Sequence, residues 1–186
     1  MTVAPVPNVL TLFRVATIPL LVVLLLEPGE GRALLAALAF LAASLSDFLD
    51  GYLARRHNVT TSFGKLFDPL ADKLLVVTVL VMLVALPREP RVPAWMAAVL
   101  IGREIAVTGL RAIASQEGIV LAAERLGKYK MAFQILALHG LLLHYHWLGV
   151  DWHAAGMYFL WISLVLSVWS AAEYHRKVYR TCRFGF

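Results

Sequence analysis

The sequence predicts an all-α fold: an integral membrane bundle of six transmembrane helices, forming a single domain over residues 1–186 with both termini in the cytoplasm. Three observations lead there. Residues of hydrophobic type make up 60% of the chain and charged ones only 16%, whereas soluble domains are about half apolar. Apolar segments recur at the roughly 20-residue length that a helix needs to cross hydrocarbon. No Pro/Gly/Ser-rich linker, low-complexity stretch or internal repeat divides them, so one domain suffices. The net charge of +5 is scattered among apolar segments, which argues for membrane orientation and against a nucleic-acid partner.

The six segments are drawn at roughly 8–27, 33–56, 68–87, 93–115, 126–147 and 153–175. In the first, the apolar stretch Val15 to Leu26 lacks a basic leader and a small-residue cleavage site, so it reads as a retained helix. The second begins after Arg32 and runs apolar until Asp47. The third opens on Asp68-Pro69, which predicts an N-cap followed by proline at the first helical position. Short turns, Glu27 to Gly31, Pro87 to Arg91 and Gly149 to Asp151, lie on one side. The other side receives the basic connections: Arg55, Arg56, His57 and Lys65, then Arg125, Lys128 and Lys130, then Arg176, Lys177, Arg180 and Arg183. Only Arg32, Arg88 and Arg91 fall on the first side, which makes the second cytoplasmic and the chain a multi-pass protein of the inner, cytoplasmic membrane. Trp95, Trp147, Trp152 and Tyr145 then mark the outer interface, and His139, His144 and His146 read as polar residues of that boundary rather than metal ligands. The lone Cys182 in the basic tail forms no internal disulfide.

The stretch from Ser46 to Asp72 reads SDFLDGYLARRHNVTTSFGKLFDPLAD. Asp47 and Asp50 are three apart, and Asp68 and Asp72 four apart, so each pair projects from one helix face. Acids gathered at membrane depth repel one another and lose hydration at several kcal/mol each, by order of magnitude, unless cations compensate. Arg55, Lys65 and Lys73 neutralise part of that charge. A donor set of oxygens, without His or Cys, suits Mg²⁺ or Mn²⁺, and four carboxylates are enough to bridge two ions. Gly51 and Ala54 remove bulk from the acidic face, as ligand approach or plain helix packing would require.

This arrangement resembles the signature of the CDP-alcohol phosphatidyltransferase family, D-x2-D-G-x2-A-R-x8-G-x3-D-x3-D. It is matched by Asp47, Asp50, Gly51, Ala54, Arg55, Gly64, Asp68 and Asp72 without a spacing error. Pro7-Asn8, Leu10-Thr11, Arg14, Gly102-Arg103-Glu104, Leu110-Arg111, Gly127-Lys128 and Gln134 extend the resemblance to a bacterial subgroup. Met131 departs from that subgroup's pattern, in which a threonine follows the second lysine. The resemblance implies transfer of a phosphatidyl group from CDP-diacylglycerol to sn-glycerol 3-phosphate with release of CMP, by a homodimer in the bilayer. It implies that Asp47, Asp50, Asp68 and Asp72 bind metal and that Asp72 also serves as the catalytic base. It places Asp47, Gly51, Ala54, Arg55, Gly64 and Asp68 at the CDP moiety.

The acceptor's phosphate calls for arginine or lysine close to the carboxylates. Arg103 and Arg111 lie eight residues apart on one predicted helix and are able to serve one pocket; Lys128 and Lys130 enter the next helix nearby. Arg103 stands inside an apolar segment, where a charge needs a task or a partner, and Glu104 or Asp50 would be such a partner. Another acceptor, inositol phosphate, serine or phosphatidylglycerol, would use the same chemistry. A small metal-ion transporter is the alternative from another class, but it expects midplane acids and repeated segments.

Overall fold

A computed structural model describes the backbone of residues 6–57, 62–116 and 125–181 and the side chains of residues 12–46, 70–116 and 126–180. Among these residues the chain is helical apart from its connections and one short hairpin. The helices are α1 (Val6–Leu24), α2 (Glu30–His57), α3 (Ser62–Ala85), α4 (Ala94–Gln116), α5 (Arg125–Leu143) and α6 (Trp152–Thr181). The predicted all-helical class and the order of its segments are found.

The boundaries differ most at the start of α3, at the end of α5, which stops at Leu143, and at the end of α6, which runs on to Thr181. Helix α3 begins at Ser62 and runs through Asp68 and Pro69, so Asp68 is not its N-cap. Proline inside a helix removes one ladder hydrogen bond, but helices packed among others tolerate this where neighbours or local adjustments satisfy the freed carbonyl. Pro19 is likewise carried inside α1.

The bundle turns many large apolar side chains outward and also buries several polar ones among its apolar core. Leu12, Val23, Leu35 and Val165 face outward at more than half exposure, while Arg14, Ser163 and Ser167 are wholly buried. An outer surface so rich in large apolar side chains has no advantage in water. Some buried hydroxyls are satisfied along their own helices, Thr17 Oγ1 donating to the Phe13 carbonyl (2.8 Å) and Ser46 Oγ to that of Ala43 (2.7 Å), while Ser163 Oγ donates across to the Lys130 carbonyl (3.3 Å). Helix α6 is long and apolar enough to cross a membrane, with mean hydropathy 1.6 over Trp152–Arg180.

Packing distributes the helices around the site. Helix α1 lies against both α2 and α3, α5 against α2 and α6, and α4 against α6 and α3. The core joins Phe40 of α2, Val79 of α3, Leu100 of α4, Leu138 of α5 and Leu160 of α6. Helices α5 and α6 approach closely because both carry glycine at the crossing: a Cβ on Gly156 would stand 2.6 Å from the Leu141 nitrogen, and one on Gly140 2.7 Å from the Gly156 Cα. In lipid, where apolar burial drives association weakly, such contact is what holds helices together.

The α3–α4 and α5–α6 connections meet at one end of the bundle. Arg88 donates to the Leu141 carbonyl (2.6 Å), placing a cation at the C-terminus of α5. Burial pulls the Arg88 guanidinium below its ordinary range. His146–Trp147 (β1) and Val150–Asp151 (β2) pair antiparallel, with His146 opposite Asp151. Leu148 (φ 54°) and Gly149 (φ 75°) make the turn, the paired positive φ values of a two-residue hairpin loop. Asp151 then caps α6, its Oδ1 accepting the Ala154 N–H at 2.9 Å, which holds its carboxyl below the usual range.

Candidate active site

Helix α2 carries Asp47, Asp50, Gly51, Ala54 and Arg55, and α3 carries Gly64, Asp68 and Asp72, so the acidic pairs do sit on two consecutive helices. The side chains of these residues other than Asp72, and of Lys65, lie outside the described residues. Asp72 is described, and it faces a cavity of about 340 Å³ between α3, α4 and α5. Among the described residues no group of three His, Cys, Asp or Glu side chains is placed to hold a metal ion. The donor set supplied by α2 and α3 is nevertheless four carboxylates at one-turn spacing on two helices that both pack on α1. Hard oxygen donors of that kind fit a hard divalent cation.

The cavity has two chemical halves. Val76, Leu80, Leu100 and Ile101 line its apolar part, and the acceptor candidates Arg103, Arg111, Lys128 and Lys130 all line its polar part together with Asp72. Thus Arg103 and Arg111, which their spacing allows to serve one pocket, line the same cavity.

Their engagements differ. Arg103 is braced: Nε donates to the Ser167 carbonyl (3.0 Å), NH2 to Ser170 Oγ (2.6 Å) and NH1 to Glu104 Oε2 (3.1 Å). Two of a guanidinium's five N–H donors remain for a ligand. Lys130, 8% exposed, places Nζ 2.5 Å from the same Glu104 oxygen. Lys128 is exposed, and the exposed Arg111 lies with its guanidinium 5.8 Å from the centre of the Tyr174 ring, at cation–π range. Lys73, beside Asp72, donates to Thr108 Oγ1 (2.7 Å), which itself donates to the Glu104 carbonyl (2.7 Å).

The sequence marks Arg14 through the resemblance alone, and the structure gives it a place. Its side chain is fully buried in α1, and NH1 stands 3.3 Å from Asp72 Oδ1. The signal was present: Arg14 interrupts an apolar segment, the same argument that singled out Arg103. Ser167 and Ser170 had no such signal, since small hydroxyls in an apolar helix are unremarkable. The histidines stand apart from the cavity. His139 bonds the Ile135 carbonyl (3.2 Å) and rests on Phe40, while His144 and His153 bond one another (3.1 Å).

Comparison with known proteins shows the family. The family model for CDP-alcohol phosphatidyltransferase matches residues 4–169. A CDP-diacylglycerol–glycerol-3-phosphate 3-phosphatidyltransferase of Bacillus subtilis (strain 168) is 41% identical, covering 92% of this chain and 93% of its own. The protein of the same name in Haemophilus influenzae is 37% identical over 91% and 90% of the two chains. A cardiolipin synthase (CMP-forming) of Oryza sativa subsp. japonica is 39% identical over 94% of this chain and 57% of its own. With the eight signature residues in place and the family model spanning most of its length, the chain belongs to the CDP-alcohol phosphatidyltransferase family.

Proposed function

We propose that this enzyme transfers the phosphatidyl group of CDP-diacylglycerol to sn-glycerol 3-phosphate, giving phosphatidylglycerophosphate and CMP. The observation that carries the reading is one cavity lined by Asp72, five basic side chains and an apolar part. A lipid-linked donor needs the apolar part, a phosphorylated alcohol needs the cations, and the relatives in Bacillus and Haemophilus are named for this reaction.

The acceptor hydroxyl oxygen forms a bond to the phosphatidyl phosphorus, and the bond from that phosphorus to the oxygen of CMP breaks, its electron pair leaving with CMP. Asp72 takes the hydroxyl proton. Asp47, Asp50, Asp68 and Asp72 would hold Mg²⁺ or Mn²⁺, in our reading two ions, which when bound offset charge on the pyrophosphate. Gly51, Ala54, Arg55 and Gly64 border the CDP moiety with Asp47 and Asp68, and Arg103, Arg111, Lys128 and Lys130 receive the acceptor phosphate. The single domain spans the inner membrane six times, with both termini and the site on the cytoplasmic side. It works as a homodimer.

The rice relative's name keeps another acceptor in view. CMP release by purified protein from CDP-diacylglycerol and Mg²⁺ decides, with glycerol 3-phosphate, inositol phosphate, serine and phosphatidylglycerol compared. Glycerol 3-phosphate alone should support release, and Asp72→Asn should lower it by about a thousandfold or more, within the range for loss of a general base. Release with another alcohol would replace the acceptor, and release with none would bring back the transporter reading.

A further inference from the structure

We propose that Glu104 is the positioning residue of the acceptor pocket: it fixes the Lys130 ammonium and aims Arg103, and thereby sets the affinity for the acceptor's phosphate. This rests on the reading of the cavity given above.

One carboxylate oxygen of Glu104 receives both cations, Lys130 Nζ at 2.5 Å from α5 and Arg103 NH1 at 3.1 Å on its own helix. Its carbonyl accepts Thr108, which accepts Lys73, the neighbour of Asp72. One residue of α4 therefore ties the basic half of the cavity to the helix that carries the proposed base. Glu104 lines the cavity itself, as do both cations.

A brace for the fold alone would not need this arrangement. Arg103 is already anchored to α6 by Ser167 and Ser170, so Glu104 adds direction to it rather than attachment. Lys130 differs, because its ammonium ends a flexible four-carbon stem and is a point charge without a planar fork. Buried among apolar helices, it keeps its charge at low cost only beside an anion. Glu104 supplies that anion before any ligand arrives. The pocket is then preorganised for a dianionic phosphate, and less of the binding energy goes to ordering side chains.

The test is steady-state kinetics of CMP release for wild type, E104A, E104Q, K130A and E104A/K130A, with thermal unfolding in detergent recorded alongside. E104A should raise KM for glycerol 3-phosphate by at least about tenfold, the loss expected for one charge-assisted hydrogen bond, with kcat changed far less and KM for CDP-diacylglycerol unchanged. E104Q, which keeps an acceptor oxygen in the same shape, should show a smaller rise. In the K130A background, removal of Glu104 should raise KM less than it does in wild type, because only the part that acts through Arg103 is left. KM does not depend on how much enzyme survives, so a lowered unfolding midpoint with unchanged KM would reduce Glu104 to a structural brace and overturn the proposal. If E104A does not fold, an unchanged KM in E104Q overturns it equally. Wild-type release with another alcohol in place of glycerol 3-phosphate would sink the underlying reading, and the proposal with it. Glycerol 3-phosphate-dependent release together with a silent Glu104 would sink the proposal alone.

Discussion

Arg14 and Arg103 are both arginines within apolar helices, yet their surroundings assign them different work. Arg103 spends three donors on Ser167, Ser170 and Glu104 at the wall of the cavity. Arg14 is fully buried and stands 3.3 Å from one oxygen of Asp72. If Asp72 takes the acceptor's proton, the orientation of its carboxylate matters, and a misplacement of about 1 Å costs on the order of a hundredfold in rate. Arg14→Met is accordingly expected to lower kcat by about a hundredfold while the protein still folds. Retention of wild-type kcat by folded Arg14→Met would show that Asp72 holds its orientation without this contact. At this scale the sequence was legible where a motif or a misplaced charge marked the residue. Asp72 and the basic residues of α4 and α5 that line the cavity were marked in the sequence, while the side chains of Asp47, Asp50 and Asp68 lie outside the described residues. Glu104 was visible only within the resemblance and as a possible partner of Arg103, because whether a half-buried acid balances a fold or arms a pocket depends on distances that spacing does not contain.

Among the elements, the α5–α6 pair and its hairpin show what local pattern does and does not reveal. The glycines at 140 and 156 are sixteen residues apart on different helices, and nothing local says that they meet. Because backbone atoms lie within 3 Å of both missing Cβ positions, Gly156→Ala must push the helices apart. Overpacking of this kind costs about 1–3 kcal/mol. Thermal unfolding in detergent should register it, with Gly102→Ala, which meets open space, as the neutral control. The hairpin appeared in the sequence only as a turn, since two-residue strands are too short to show alternation. Its neighbour His144 has φ 58° and donates Nε2–H to the Glu89 carbonyl at 3.1 Å, which leaves Nδ1 to accept from His153. Burial, and then the charge of Arg88, push the His144 ring from 6.5 down to about 4. The unfolded chain thus binds more protons than the folded one between these values. Stability from this site is complete above about pH 6.5 and lost as pH falls toward 4. Wild-type protein should therefore melt lower at pH 5 than at pH 7.5, and His144→Asn, which tolerates positive φ, should flatten that difference. An equal slope in both proteins would place the sensitivity elsewhere.

For the whole molecule the question is how the bundle sits in the bilayer. Composition already indicated lipid, and the structure supports it from an independent direction, with leucine, valine and tryptophan turned outward around a core that also buries Arg14 and several serines. The helix boundaries were less legible, because the charged ends of α2, α3 and α6 belong to the helices themselves and hydropathy alone truncates them. Helix α6 offers the sharpest test of topology. It is the helix whose described residues meet the length and apolarity for a crossing, and its ends differ in charge. The hairpin end, from His146 to His153, holds no lysine or arginine, whereas Arg176, Lys177, Arg180 and Arg183 gather at the other. The excess of positive charge puts that second end in the cytoplasm. Cys182 is the chain's one cysteine and reports on it directly. Leu148, 98% exposed at the hairpin turn, reports on the opposite end when replaced by cysteine in a Cys182→Ser background. A membrane-impermeant maleimide should label Leu148→Cys from outside spheroplasts and the native Cys182 only in inverted vesicles. Labelling of both from one side would mean that α6 does not cross, and the reverse pattern would invert the bundle and place the aspartates and the cavity on the outer face. The expected pattern would put the basic half of the cavity, at the α5 N-terminus, on the side where a water-soluble phosphorylated alcohol is made and where CMP returns to the nucleotide pool.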